Sequence, residues 1–197
     1  MANSAPASSP DTERLLLNAE LELLREQVAL LSARLTEAER LADHDVLTPL
    51  LNRRAFLREV QRAIAIARRY KSPASVIYFD LNGFKGVNDQ YGHAAGDAVL
   101  TAVAERLLGA VREEDFVGRI GGDEFAVLLQ RADAASARLK AQQLTEAITH
   151  DPVAFKSRSI AIGVTFGVRE IAGADSAEQA MAEADANMYL RKPGRSR

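Results

Sequence analysis

The sequence has 197 residues, of which 47% are hydrophobic and 26% charged, with 25 Lys and Arg against 27 Asp and Glu. This length accommodates one domain of about 150 residues with an appendage, and the composition excludes a collagen-like, disulfide-rich or largely disordered chain. The formal charge of -2 provides no overall basic field for nucleic acid, and the absence of Cys excludes disulfides, thiolate metal sites and Cys nucleophiles.

The N-terminal segment, residues 1–9, is rich in Ala, Ser and Pro and predicts a disordered tail. It lacks the pattern of a signal peptide, and no later stretch has ~18 uncharged apolar residues. We therefore expect a cytoplasmic protein without membrane insertion. Ser9-Pro10 is a typical helix start, with Pro at the first helical position.

Residues 10–42 predict a coiled-coil dimerisation helix. Apolar residues recur at alternating spacings of four and three, which is a heptad seam, and charged residues occupy the other faces. The seam favours a homodimer; the alternative is an amphipathic helix packed on its own domain. The seam residues are Leu17, Leu21, Leu24, Val28, Leu31, Leu35, Ala38 and Ala42.

Residues 43–197 predict one domain in which helices and strands alternate. Pro49 interrupts the helical pattern, so the segment 43–50 is interpreted as a hinge. The order of elements predicts an α/β (α+β) sandwich with a mixed central sheet of about five strands flanked by helices. Predicted helices cover 52–70, a stretch after 92–95 through Leu107, 134–149 and 176–190; predicted strands cover 74–80, 116–120, 124–129 and 159–168.

Two carboxylates occupy positions where sheet proteins present ligands, Asp80 at a strand end and Asp123 in a hairpin turn. If neighbouring strands bring them together they repel each other unless a cation lies between them, and such hard oxygen ligands suit Mg²⁺ with substrate phosphates. Gly121 and Gly122 leave room for a nucleotide against the backbone. Taken alone, however, Gly-Gly-Asp is also a common hairpin turn.

Three longer strings distinguish between these interpretations: DLNGFKGVND at 80–89, YGHAAGD at 91–97 and RIGGDEF at 119–125. In order and spacing they resemble the GGDEF family of diguanylate cyclases, and the resemblance extends from about Asp43 to Arg197. It implies a nucleotidyl-cyclase-like fold and the condensation of two GTP into cyclic di-GMP and two pyrophosphates. Two domains would face each other antiparallel, each contributing one GTP.

The resemblance implies catalytic and metal-binding roles at individual positions. Asp80, Asp123 and the carbonyl of Leu81 would hold two Mg²⁺ ions per half-site, for which Mn²⁺ can substitute. Asp123 and Lys85 would be catalytic. Glu124 is given a supporting metal or proton role, because alternation along the strand points it away from Asp123; the general base is left open.

The resemblance also implies the substrate contacts. Gly83, Phe84 and Lys85 would cradle the β and γ phosphates, while Asn88 and Asp97 would recognise the guanine edge. At the C-terminus the sequence departs from the family ending by one residue, so the role of one phosphate-binding Lys is divided between Arg191 and Lys192. The other expected substrate-binding residues are His93, Arg119, Gly121, Gly122 and Arg195.

A second site is implied by Arg112 and Asp115, which match the Arg-x-x-Asp of the family's product-inhibition site. The alternative is a solvated charged loop. Two other functions remain open: a catalytically inactive cyclic di-GMP receptor or interaction module, and a cyclase that makes a mononucleotide product. The sequence does not identify an input signal, so a regulatory protein partner is possible.

Overall fold

The structure is a computed structural model that describes residues 10–171, 173 and 176–190, with only part of the side chains in the N-terminal helix. The predicted tail 1–9 and the predicted phosphate contacts Arg191, Lys192 and Arg195 lie outside the described residues. Contacts divide the chain into two compact units, with the boundary between Ala42 and Asp43.

The first unit consists, in its described part, of helix α1 (Pro10–Asp43), which ends at this boundary. The helix is uninterrupted over the described residues, in agreement with the sequence pattern. Six residues of the predicted seam are between 45% and 62% exposed: Leu17, Leu21, Leu24, Val28, Leu31 and Leu35. Whether a second chain covers them stays a prediction.

The second unit alternates helices and strands. Its helices are α2 (Arg53–Tyr70), α3 (Phe84–Tyr91), α4 (His93–Ala110), α5 (Ala134–Thr149) and α6 (Ala177–Tyr189). Its strands are β1 (Leu51–Asn52), β2 (Ala74–Asn82), β3 (Phe116–Arg119), β4 (Glu124–Gln130), β5 (Val153–Phe155), β6 (Arg158–Ile160) and β7 (Gly163–Glu170).

In the described part of the chain, five strands form the central sheet in the order β1-β3-β4-β2-β7. β1 pairs with β3 in parallel, and the other neighbours pair antiparallel. The predicted mixed sheet of about five strands flanked by helices is therefore confirmed. β4 and β2 each have a partner strand on both sides.

Side-chain alternation on β2 divides the apolar core between the two faces of the sheet. Ile77 and Phe79 belong to the cluster that contains α4 and α5, whereas Val76 and Tyr78 belong to the cluster that contains α2 and α6. β2 is buried over eight consecutive residues because helices cover both faces.

Local signals fix the ends of several helices. Asn52 caps α2 by accepting a hydrogen bond from Ala55 N at 3.0 Å, and Lys71 ends it in the left-handed conformation. Asp133 caps α5 and Ser176 caps α6 through their side chains. These caps explain why the predicted bounds of the three helices agree with the structure within one residue.

The predicted strand 159–168 is wrong as a single element. It is divided into β6, which pairs with β5 in a separate two-stranded sheet, and β7, which joins the central sheet. The apolar run continues from Ile160 through Val168 across this change of partner, so the sequence pattern does not reveal it. Within the described ranges, no helix has both the length and the apolarity needed to cross a membrane.

Candidate active site and a second groove

Asp80 and Asp123 lie at the same end of the two central strands. β2 and β4 pair with Asp80 opposite Glu124, and Leu81 N donates a hydrogen bond to the Asp123 carbonyl at 3.1 Å. Asp80 is only 8% exposed. The structure thus places both predicted residues at the same end of two neighbouring strands.

Glu124 is nearer to this site than strand alternation suggests. It points away from Asp123 along β4, but residues opposite each other on paired strands project from the same face, so Glu124 shares a face with Asp80. Tyr78, on that face, donates a hydrogen bond to the Glu124 carboxylate.

The pKa of Glu124 is raised, first by its partial burial and then by the charges of Asp123, Asp185 and Asp80, against the lowering effect of Tyr78. The pKa of Tyr78 is raised by burial and by the charges of Glu124 and Asp185. Asp185 of α6 and Tyr78 were not found by sequence reasoning. A concentrated negative charge at a half-buried site favours binding of a cation.

The donor set fits Mg²⁺ that is shared with a phosphate ligand. Within the described residues, no group of three His, Cys, Asp or Glu side chains is spaced to hold a metal ion by itself. Mg²⁺ is commonly bound by one or two carboxylates, with waters and substrate phosphates completing its shell. Asp80, Asp123 and the Leu81 carbonyl would provide such a partial set of oxygen ligands.

The first turn of α3 lies directly after β2 and presents its backbone to solvent. Gly83 precedes it with φ +71°, a conformation that favours glycine, and has no side chain to cap the helix. The first N–H groups of a helix lack partners within the helix and attract anions. Phe84 and exposed Lys85 form this turn, and their contact with phosphate stays a prediction.

The structure brings the two predicted guanine contacts onto adjacent helices. The Asn88 side chain of α3 lies against Gly96 of α4, where an added Cβ would be 2.0 Å from Asn88 Oδ1. Asp97 follows Gly96 directly and is exposed, as is His93 at the start of α4. Gly96 thus leaves the space that the Asn88 side chain occupies, a role that sequence reasoning missed.

The Gly-Gly turn is open on the side of Gly122. Among the described residues, no atom lies within 4 Å of a Cβ built at Gly122, whereas a Cβ at Gly121 would be 2.1 Å from Glu124 Oε2. A flat ligand can therefore approach the backbone at Gly122, and Gly121 gives room to the Glu124 carboxylate.

Arg119 contacts protein groups at this turn. Its Nη1 donates to Asp45 Oδ1 at 3.0 Å, and its Nε and Nη2 donate to the Gly122 carbonyl at 3.3 and 2.8 Å. Partial burial would raise the pKa of Asp45, but hydrogen bonds from Thr48 and Arg119 outweigh it and lower that pKa. Sequence reasoning missed Asp45, and a contact of Arg119 with substrate stays a prediction.

Arg112 and Asp115 line a separate groove of ≈ 310 Å³. It lies at the other end of β4 from the Gly-Gly turn, about 20 Å along a seven-residue strand. Asp115 accepts hydrogen bonds from Arg112 N at 3.2 Å and Gln130 N at 3.1 Å, which fixes the loop on the sheet. Arg131 and Lys140 add two cations to the lining.

A sequence profile described as diguanylate cyclase, GGDEF domain, matches residues 42–197. The chain belongs to this family. Among curated proteins, it is 36% identical over 174 residues to the bifunctional diguanylate cyclase/cyclic di-GMP phosphodiesterase MucR of Pseudomonas aeruginosa, covering 86% of this chain and 25% of MucR. The chain therefore spans about a quarter of the length of that relative.

Solved structures of GGDEF proteins have the same fold. The coiled coil and GGDEF domain of DgcB from Caulobacter crescentus, in complex with c-di-GMP, gives a TM-score of 0.81 at 30% identity, covering 88% of this chain and 93% of that one. Diguanylate cyclase SiaD of P. aeruginosa, in complex with its activator SiaC, gives 0.73 at 27% identity, covering 91% and 73%.

Proposed function

We propose that this GGDEF protein is an active diguanylate cyclase that condenses two GTP into cyclic di-GMP and two pyrophosphates. The observation that carries the proposal is the gathering of Asp80, Asp123 and Glu124 beside two surfaces open to a nucleotide, the Gly-Gly turn and the first turn of α3. GTP is found inside cells, so this substrate is consistent with the expected cytoplasmic location.

Asp80 and Asp123 would hold two Mg²⁺ ions, with help from the Leu81 carbonyl. When bound, the metal lowers the charge on the triphosphate and polarises the reacting oxygens. Asp80 is buried and lies in β2, which has a partner strand on each side. Its carboxylate would therefore be held in position before substrate binds. Glu124, whose pKa is raised, is suited to hold a proton beside these groups.

The α3 turn would bind the β and γ phosphates through backbone N–H groups of Phe84 and Lys85. The Lys85 ammonium would offset the negative charge that develops as pyrophosphate leaves. Asn88 of α3 and Asp97 of α4 would bind guanine. An amide and a carboxylate match the O6 acceptor and the N1 and N2 donors of guanine, whereas adenine has a donor at position 6.

The reaction joins two nucleotides, and each domain presents one nucleotide site. In each of two attacks, the 3′ oxygen of one GTP bonds to the α phosphorus of the other, the bond to pyrophosphate breaks, and the hydroxyl proton passes through a base to solvent. We propose that α1 forms a homodimer through its exposed seam, which raises the effective concentration of the second site. Because SiaD is solved with its activator SiaC, we propose that a protein partner regulates this chain as well.

The groove at Arg112 would bind cyclic di-GMP and inhibit turnover. Its cations Arg112, Arg131 and Lys140 suit a dianionic product, and Asp115 suits the donors of guanine. The DgcB structures in complex with c-di-GMP support a ligand of this class for the fold.

The test is incubation of purified protein with GTP and Mg²⁺, followed by chromatography of the nucleotides, beside Asp123→Ala. Cyclic di-GMP formed by the unchanged protein and lost in Asp123→Ala supports the proposal. If the unchanged dimer binds cyclic di-GMP but makes none, the chain is a receptor. A mononucleotide product would indicate a different cyclase.

A further inference from the structure

The segment that follows α1 forms a turn organised around one carboxylate. Asp45 N donates to the Leu50 carbonyl at 2.9 Å. Asp45 Oδ1 accepts hydrogen bonds from Leu47 N at 3.2 Å, Thr48 N at 2.9 Å and Thr48 Oγ1 at 2.8 Å. Thr48 is buried, so the Asp45 carboxylate has a fixed position within residues 45–50.

The same oxygen, Asp45 Oδ1, also accepts from Arg119, at the end of β3. The two side chains are 17% and 14% exposed and form an ion pair at 3.0 Å. Arg119 directs its other bonded N–H groups to the Gly122 carbonyl. We call these contacts among Asp45, Arg119 and the Gly122 carbonyl the Arg119 bridge.

The Arg119 bridge restrains the peptide that leads into Asp123. A peptide group is planar, so fixing the Gly122 carbonyl fixes the plane shared by Gly122 and Asp123. Ile120 N and Gly121 N donate to the Glu124 carbonyl, and the Asp123 carbonyl accepts from Leu81 N. These bonds restrain the turn on both sides of Gly122, and Arg119 restrains it at Gly122 itself.

We infer that Arg119 is a positioning residue that places the Asp123 carboxylate and couples it to the segment 45–50. A guanidinium can contact a carboxylate and a carbonyl at once because its donors have fixed directions, and an ammonium reproduces this arrangement poorly. A displacement of the segment 45–50 would therefore shift Asp123. The catalytic consequence of the inference rests on the proposed function.

The test compares Arg119→Lys and Asp45→Asn with the control Arg169→Lys. Arg169 is a matched control because it also bridges a carboxylate, Glu183, and a main-chain carbonyl, that of Glu170, at the opposite end of the sheet. Amide hydrogen exchange is measured without nucleotide or metal, and kcat, KM for GTP and the Mg²⁺ dependence are measured with substrate. Melting temperatures identify any loss of global stability.

Both variants of the Arg119 bridge should speed exchange at 120–124 and lower kcat about tenfold, with KM for GTP within about twofold, because one charge-assisted contact is lost. More Mg²⁺ should be needed for half-maximal rate, and the double variant should resemble either single one. The control should change none of these.

Unchanged exchange at 120–124, or an equal rise throughout the domain, would overturn the inference. The exchange result stands even if the unchanged protein makes no cyclic di-GMP, since that outcome refutes only the proposed function. If Arg119→Lys does not fold, Asp45→Asn decides alone, because it keeps an oxygen that accepts from Leu47 and Thr48.

Discussion

Gly96 determines where the Asn88 side chain lies, although neither residue belongs to the Gly-Gly turn. In Gly96→Ala the new methyl group would overlap Asn88 Oδ1, which is 2.0 Å from the Cβ position. The amide must then leave the place next to Asp97. We expect KM for GTP to rise about tenfold, since one hydrogen bond to guanine is weakened, and discrimination against ATP to fall.

A matched control for this prediction is Gly109→Ala, in the same helix. Apart from its chain neighbours and the backbone of its own helix, no described atom lies within 4 Å of a Cβ at Gly109. Both substitutions favour the helix by up to about 1 kcal/mol, because Ala has a higher helix propensity than Gly. Steady-state kinetics with GTP and with ATP are measured for Gly96→Ala and Gly109→Ala. Equal KM values for GTP in both variants would show that Asn88 does not recognise guanine.

At the scale of elements, the packing of α6 on β7 depends on Gly167. A Cβ there would be 2.1 Å from the Ala184 carbonyl oxygen and 2.2 Å from Met188 N, so the helix backbone itself must move. At Gly118 of β3 the obstacle is the Phe56 side chain, whose Cδ2 and Cβ would lie 2.7 and 2.9 Å away, and a side chain can shift more readily than a helix backbone. The two glycines therefore differ in what an added methyl group displaces.

We predict that Gly167→Ala lowers the free energy of unfolding by about 3 kcal/mol or more and Gly118→Ala by about 1–2 kcal/mol. Urea denaturation followed by circular dichroism measures both values. The reverse order would mean that α6 moves on the sheet more readily than the Phe56 side chain shifts, and would refute the account given for β7.

The sequence predicts elements that are long, periodic and capped, and it fails where an element exists only through its partners. The helix at 134–149 has the predicted bounds because its apolar period and its Asp133 cap agree. α3 was not predicted, since none of its eight residues is buried and no apolar period marks it. β1 has two residues and exists through its pairing with β3.

The same reasoning applies to the candidate site. Asp80 and the Gly-Gly-Asp turn could be found because a strand end and a hairpin turn are local patterns. The Asp45 contact with Arg119 joins residues 74 positions apart, and the approach of Glu124 to Asp80 depends on the register of β2 with β4. Such contacts depend on tertiary structure, so no local sequence pattern predicts them.

At the scale of the whole molecule, the proposed reaction requires two domains, and α1 is the element suited to join them. A heptad seam that stays about half exposed in one chain buries apolar surface when a second helix covers it. Leu24 and Leu31 belong to this seam. Leu23 and Leu30 are similarly exposed, at 56% and 53%, but lie one position outside it.

We predict that Leu24→Glu with Leu31→Glu converts the proposed dimer to a monomer, because four carboxylates would face one another in the seam. Cyclic di-GMP formation per chain should fall at least about tenfold at micromolar protein, as the effective concentration of the second half-site is lost, and should recover as protein concentration rises. Leu23→Glu with Leu30→Glu adds the same charge to the same helix outside the seam and should keep both dimer and activity. Sedimentation velocity and product formation across a protein dilution series test this. If the two double variants behave alike, the seam does not join the domains, and the second half-site must be recruited through the GGDEF domain itself.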